Sequence, residues 1–313
     1  MPFKHNPQVF SSSIGETVLG TGEKALTLGG ENVWSLYSFD GAVKNPPAVG
    51  IEFSDQGPDR SLPGVAAAYE GAETLAELAK KAEQVPGVQF VAFRLAGSDP
   101  NGDNESVADS VAKVKEVADA ISLPLVVTGS NNIDKDAELL PKVAEALQGK
   151  NALLLNAKEE NYKGIAVAAV TAYGQKVSGE SAVDINLAKQ LNVLFSQLGI
   201  KNENLVENLG QGVVGYGFEY IISTVERVKL AALTQNDAAL QIPVISPIST
   251  EAWTVKESLA TEEEIPEWGS REERGIGLEV STAVASIAAG SNAVILMHPA
   301  SVATVSKLIA ELV

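Results

Sequence analysis

The chain of 313 residues contains no cysteine. Disulfides, thiolate zinc sites, a cysteine nucleophile and cysteine-ligated iron–sulfur clusters are therefore excluded from it. Histidine is almost as scarce, with His5 and His298 the two present. That leaves nothing for a histidine-rich metal site and little for a Ser-His-Asp triad. Aromatic residues reach only 5%, so Val, Ile, Leu and Ala must build the core. Basic residues number 23 against 40 acidic ones, a net charge of −17. Phosphate backbones and anionic lipid repel such a surface, and no basic patch stands out, so neither nucleic acid nor a membrane is an expected partner. No apolar run reaches the ~18 residues of a membrane span. Residues 1–6 lack an apolar signal core, and a soluble cytoplasmic protein is expected.

What the chain does have is 45% hydrophobic residues, a globular composition. From about residue 48, short apolar runs alternate with longer helical patterns. Strands are expected at 48–53, 88–95, 124–128, 151–156, 176–181, 205–209, 243–248 and 292–297. Val107, Val111, Val114, Ala118 and Ile121 recur at spacings of 4, 3, 4 and 3, the period of an amphipathic helix. Further helices are expected from about 73 to Pro86-Gly87, and at 142–148 with Pro141 in the first helical position. Others are expected at 165–173, from an Asp184 cap to Leu198 with Gly199 closing it, and at 218–233, 271–289 and 302–312.

Eight strand–helix units in about 265 residues suit a (β/α)8 barrel better than an open doubly wound sheet, which shares the βαβα order. The expected fold class is α/β: a TIM barrel over 46–313, preceded by an extension over 1–45. Within the extension, 16–19 and 25–28 flank Gly20-Thr21-Gly22 as a β-hairpin, suited to cover the N-terminal end of the barrel. Segment 249–270, with Thr261-Glu262-Glu263-Glu264, interrupts the repeat. It reads as a solvated acidic face whose Trp253 and Trp268 need burial in the barrel or against a partner.

Sites in such barrels lie at the C-terminal strand ends. Those ends supply Glu52 and Asp55; Arg94 and Gly97; Thr128, Gly129, Ser130 and Asn131; and Asn156 and Lys158. The second half adds Gly179 and Ser181; Asn208, Gly210, Gln211 and Gly212; Ser246, Ser249 and Thr250; and His298. Glycine, hydroxyl and amide groups dominate and acid–base pairs are scarce, a pattern that points to binding more than to nucleophilic catalysis. Glu52 and Arg94 read as a structural ion pair across the mouth, with catalysis the alternative. Gly210 to Gly215 matches G-x-G-x-x-G, but no ribose-binding acid follows about twenty residues on. The motif reads as glycines that let backbone approach a ligand or a neighbouring loop. His298 is either a hydrogen-bonded loop residue or a ligand contact.

Several segments resemble the small (delta) subunit of the corrinoid iron–sulfur protein. They are Gly215-Tyr216-Gly217-Phe218-Glu219-Tyr220 running into 225–233, then 184–192 and 251–257, Trp268-Gly269 with Arg274-Gly275, and 290–299. The resemblance spans roughly residues 48–313. It implies a (β/α)8 barrel in a heterodimer with a large subunit that carries a 4Fe–4S domain and a corrinoid domain. It also implies a cobamide held base-off between that domain and the mouth of this barrel. The implied role is methyl carriage in the reductive acetyl-CoA (Wood–Ljungdahl) pathway of anaerobic carbon fixation. A methyltransferase would load the methyl group from methyltetrahydrofolate, and acetyl-CoA synthase would receive it. The strand-end residues implied to touch the shared cobamide are Thr128, Ser130, Asn156, Asn208, Gly210, Gln211, Ser246 and His298. The chain itself would carry no catalytic residue and no metal ligand.

The residues agree on independent grounds. Without cysteine the chain cannot hold the cluster. Around His298, 296–301 lacks the Asp and Gly of the cobalt-binding pattern D-x-H-x-x-G, and His5 fails the same comparison. An alternative is a TIM-barrel methyltetrahydrofolate:corrinoid methyltransferase, with Asp55, Asn156 and Asn208 on the pterin. A generic aldolase-type or phosphate-binding barrel is a further one, with Lys158 as its strand-end lysine.

Overall fold

The computed structural model describes residues 4–210, 214 and 217–313. Strands β1 (Glu16–Leu19) and β2 (Leu26–Gly29) form the antiparallel hairpin, in register from Glu16↔Gly29 to Leu19↔Leu26. Eight parallel strands follow: β3 (Ala48–Ser54), β4 (Phe90–Arg94), β5 (Leu125–Thr128), β6 (Leu153–Ala157), β7 (Lys176–Glu180), β8 (Leu205–Asn208), β9 (Val244–Pro247) and β10 (Ala293–Leu296). They pair in sequence order, and β10 closes on β3 from Ala293↔Ala48 to Leu296↔Ile51. The chain is a TIM barrel, as its sequence implies.

Alternation sorts the strand side chains into two populations. Val49, Ile51, Phe53, Val91, Phe93, Val127, Leu154, Val177 and Leu296 pack with helix residues in the larger core. A separate cluster contains no helix residue: Ala48, Phe90, Ala92, Val126, Leu153, Leu155, Val206, Ile245, Ala293 and Ile295. These fill the barrel interior. Leu19 and Leu28 of the hairpin join that interior cluster, fully buried. Hydrogen bonds fix the hairpin there, all to residues at or before the starts of barrel strands. Gly20 N donates to Asn151 O at 2.8 Å, and Thr17 Oγ1 to Leu205 O at 2.8 Å. Asn151 Nδ2 donates back to Val18 O at 2.8 Å. Gly20, at φ +72°, lies so close to Pro124 that a Cβ would stand 2.8 Å from its ring. Each buried leucine contributes about 1.5–3 kcal/mol. The hairpin thus seals the base of the barrel.

The outer layer comprises α1 (Pro63–Ala68), α2 (Leu75–Glu83), α3 (Val107–Ala120), α4 (Ile133–Ala146), α5 (Tyr162–Ala166), α6 (Ile185–Gln197), α7 (Phe218–Thr234), α8 (Ser249–Ala252), α9 (Lys256–Leu259), α10 (Arg271–Ala289) and α11 (Pro299–Leu312). Asp184 caps α6, accepting from Asn186 N at 2.8 Å. Helix α4 starts nine residues before the expected 142, because Asn132 accepts from Lys135 N at 3.0 Å and starts the helix there. Pro141 therefore sits inside α4 and not at its first position. Proline gives up one intrahelical bond, at ~3 kcal/mol, which the buried stripe of Leu139, Leu140, Val143 and Ala144 outweighs. The 165–173 helix is in fact α5 followed by a π turn over Val167–Ala172. Helix α11 begins at Pro299, three residues before the expected 302.

A buried ionic network ties the N-terminal arm to the barrel wall. Lys229 of α7 is 2% exposed and Glu31 is 5% exposed. Lys229 Nζ lies 3.1 Å from Glu31 Oε1 and donates to Asn292 Oδ1 at 2.6 Å. Asn292 Nδ2 donates to Glu31 Oε1 at 2.7 Å. Removing one partner strands a buried charge, which costs ~3–5 kcal/mol. Lys229→Met should therefore destabilise by that amount in urea unfolding. The double variant Lys229→Met/Glu31→Leu should recover most of it, and additive losses would show that the pair is not coupled.

Glu207 of β8 points outward onto Asn192, which donates to it through Nδ2. Burial pushes the Glu207 carboxyl up to about 8 from its ordinary 4.5. The folded state then keeps a proton that the unfolded chain releases near its ordinary value. Stability from this group is complete below about 4.5 and is lost as pH rises through about 8. Glu207→Gln should flatten the fall in unfolding free energy between those limits, and an unchanged slope would contradict this.

Candidate functional site

The C-terminal strand ends open into a cavity of about 490 Å³. Strand parity chooses its side chains. Glu52, Arg94, Thr128, Glu180 and Asn208 fall on the inward face of their strands, above the sealed apolar interior. Loops and helix starts add Asp99, Ser130, Asn131, Asp136, Lys158, Gly210, Thr250 and Glu251. Of the eight residues implied to touch a cofactor, Thr128, Ser130, Asn156, Asn208 and Gly210 line this cavity. Gln211 lies outside the described residues, with most of the G-x-G-x-x-G stretch.

Ser246 and His298 do not line it. Both carry the opposite parity and face the helix layer. Ser246 Oγ meets Ser291 Oγ at 2.8 Å, fully buried. His298 caps α11, its Nδ1 accepting from Ala300 N at 3.1 Å, while its Nε2 stands 3.0 Å from Glu272 Oε1. The Trp253 ring stacks on it at 5.8 Å, in space that Gly275 leaves free by having no Cβ. Beneath lies Glu279, accepting from Met297 N at 2.5 Å and His298 N at 3.2 Å. Burial pushes the Glu279 carboxyl up to about 7. His298 is thus hydrogen-bonded at both ring nitrogens and lies outside the cavity lining.

The mouth is more acidic than the strand-end inventory suggested. Glu52 accepts from Arg94 Nε at 3.3 Å and from Thr250 Oγ1 at 3.1 Å, so the expected pair across the mouth is present. Asp136 accepts from Ser130 N at 2.7 Å and Ser130 Oγ at 2.8 Å. Lys158 Nζ donates to Asn131 Oδ1 at 2.8 Å and lies 3.8 Å from Glu180. Burial raises the carboxyls of Asp136, Glu180 and Glu251 above their ordinary values. The negative field of Glu180 raises Glu251 further, while Lys158 opposes the rise at Glu180. The first hydrogen bond among the neutral groups runs from Asn208 Nδ2 to Asn156 Oδ1 at 3.0 Å, and Gly210 N donates to Asn208 Oδ1 at 2.9 Å. Thr128 Oγ1 is buried at the cavity wall with no partner among the described residues.

Asp99, Asp136, Glu180 and Glu251 are site residues that the strand-end reading passed over. Glu180 was legible: outward Val177 makes 178 and 180 inward, not 179 and 181. Asp136 was not, because it reaches the mouth from the first turn of α4, whose start was misplaced. No His, Cys or Met lines the cavity, and no cluster of three or more His, Asp or Glu suited to a metal occurs among the described residues. No helix among them is long and apolar enough to cross a membrane.

The fold and its cavity together define a TIM barrel with a sealed base and a polar, carboxylate-edged mouth open at one end. Over residues 16–307 the chain matches the family model described as CO dehydrogenase/acetyl-CoA synthase delta subunit. It is 31% identical to the acetyl-CoA decarbonylase/synthase complex subunit delta of Archaeoglobus fulgidus, over 98% of this chain and 70% of that protein. It is 30% identical to the corresponding subunit of Methanothermobacter thermautotrophicus, over 95% of this chain and 76% of the relative. The chain belongs to the CO dehydrogenase/acetyl-CoA synthase delta subunit family. Among solved structures it superposes on dihydropteroate synthases of Xanthomonas albilineans (TM-score 0.57, 13% identity, 95% of this chain and 98% of that one) and Yersinia pestis (0.53, 14%, 85% and 92%). That likeness concerns the fold alone.

Carbon-13 NMR titration of the glutamate carboxyls should place Glu180 and Glu251 above the ordinary range. Glu180→Gln should lower the Glu251 midpoint, and Lys158→Met should raise that of Glu180. Independent midpoints would show that the two carboxyls do not share the cavity.

Proposed function

We propose that this chain is the small subunit of a heterodimeric corrinoid iron–sulfur methyl carrier of the reductive acetyl-CoA pathway, covering a cobamide held mainly by the large subunit. The observation that carries the reading is the donor set of the mouth. Asn156, Asn208, Ser130 and the unpartnered Thr128 hydroxyl suit a corrin ring, whose edge is fringed with amide side chains. A cavity of about 490 Å³, open on one side, is too small to enclose that macrocycle and large enough to cover part of it. Among the described residues the mouth offers no imidazole or sulfur ligand, and cobalt would depend on the other subunit. Family membership supports the pathway assignment, since the relatives are named as subunits of an acetyl-CoA decarbonylase/synthase complex.

When bound, the cobamide supplies the nucleophile and the carrier bond for the methyl group. This chain's part is to shield and to orient. Thr128, Asn156 and Asn208 would hydrogen-bond the ring edge. The Glu52–Arg94–Thr250 bridge would hold the rim rigid. The contact is polar and partly wet, so the cofactor can leave the mouth to meet a methyltetrahydrofolate methyltransferase and then acetyl-CoA synthase. The alternative, a pterin-binding methyltransferase, loses one of its supports. Asp55 does not line the cavity; its carboxylate accepts from Gly97 N at 2.9 Å and faces Lys113 at 3.5 Å.

Anaerobic mixing of this chain with the cobamide-loaded large subunit should give a heterodimer on gel filtration and shift the visible corrin spectrum. Thr128→Val should leave the heterodimer intact and reduce that shift. Isolated chain should bind neither methyltetrahydrofolate nor cobinamide tightly in calorimetry. No heterodimer, an identical spectrum with and without this chain, or tight folate binding would each overturn the proposal.

A further inference from the structure

The acidic segment between β9 and α10 is built as a rigid platform. Arg274 of α10 donates through Nε to Glu257 O at 2.9 Å, and its two terminal nitrogens reach Gly269 O and Ala260 O. Arg271 donates to Ser258 O at 2.9 Å and to Asp59 Oδ2 at 3.1 Å. These guanidinium groups turn inward onto backbone and satisfy the ends of a segment with little core of its own. The outer surface is left with the opposite sign. Glu262, Glu263, Glu264 and Glu267 are all exposed, and none forms an ion pair among the described residues. Glu262 accepts from Arg271 N at 2.8 Å and Glu264 from Thr261 N at 2.9 Å, so two of the carboxylates are fixed in direction.

Beside them lies a groove of about 540 Å³ lined by Leu259, Ala260 and Ile265, with Lys256 and Glu264 at its edge. Leu259 is 49% exposed and Trp268 is 38% exposed. Trp268 is held between Lys256 at 5.6 Å and Arg274 at 5.7 Å, cation–π contacts that pre-order its ring at the surface. The platform adjoins the mouth through α8, whose Thr250 bonds Glu52 and whose Glu251 lines the cavity.

We infer that this platform is the docking face for a basic surface of the large subunit, one that presents an apolar side chain to the Leu259 groove. The inference rests on the heterodimer proposed above and adds where and by what chemistry the partner seats. Fixed carboxylates around an apolar centre are complementary to a cationic rim around an apolar knob. The charges steer approach and set salt dependence, and the groove supplies the anchor. A partner seated there is linked to the mouth through α8, which carries Thr250 and Glu251.

The absence of cysteine makes the test clean, since Leu259→Cys carries the chain's one thiol. In the free chain it should react readily with a maleimide. In the presence of saturating large subunit its rate should fall about tenfold or more, while a Val9→Cys thiol, 84% exposed on the N-terminal arm, should react unchanged. The triple variant Glu262→Gln/Glu263→Gln/Glu264→Gln should bind the large subunit roughly tenfold more weakly and lose most of the salt dependence of the wild-type Kd. Circular dichroism checks that the variant is folded. Wild-type binding with no protection at Leu259→Cys, or with an unchanged salt slope in the triple variant, overturns this docking face and leaves the heterodimer standing. Failure of the wild-type chain to bind the large subunit overturns both.

Discussion

A parallel sheet of eight strands leaves no edge only if the last strand pairs with the first. The Ala293↔Ala48 to Leu296↔Ile51 ladder is where this chain meets that requirement. Closure leaves alternate side chains no choice of direction. One set packs under the helices, and the other is driven into a narrow lumen. Gly50, by having no Cβ, leaves room there for the Phe90 ring, and hairpin residues Leu19 and Leu28 complete the packing from below. The polar mouth is the continuation of that lumen toward the C-terminal ends. Its residues are therefore chosen by the same alternation that chooses the core.

That dependence explains what the sequence disclosed. Eight strands and their order were legible because apolar runs such as 125–127 and 293–296 recur between helical patterns and glycine or proline breaks. Asp184 marked a helix start because an aspartate before an apolar-periodic run has backbone donors to satisfy. The mouth was half legible. Thr128 and Asn208 sit on inward parity and were found. Ser246 and His298 sit at strand ends but on outward parity, so proximity in sequence to the right place was misleading. The proline at 141 suggested a helix start, but the helix begins at the Asn132 cap and runs through it, because tertiary burial of Leu139, Leu140 and Val143 outweighs one missing hydrogen bond. Asp136 arrives in the cavity by that same helix. No local pattern could place it before the start of the helix was known.

Electrostatics divides the molecule along similar lines. At the base, Lys229 and Glu31 neutralise one another out of contact with water, and Asn292 hydrogen-bonds both. At the mouth, five carboxylates share two basic side chains, and burial holds three of the five above their usual protonation range. A fully exposed cluster of that composition would not feel this burial. Here the wall of the barrel lowers the local dielectric and couples Glu251 to Glu180. The same excess of acid appears at Glu262, Glu263, Glu264 and Glu267, where it is exposed to solvent. Of the net charge of −17, part thus lines the cavity and part is open surface.

The hairpin plug has a kinetic consequence. With the floor of the lumen filled by Leu19 and Leu28, no tunnel runs through the barrel. Anything the cavity holds must arrive and depart through one doorway. The sealed floor thus gives the cavity a single direction of approach, from the side where the strands end.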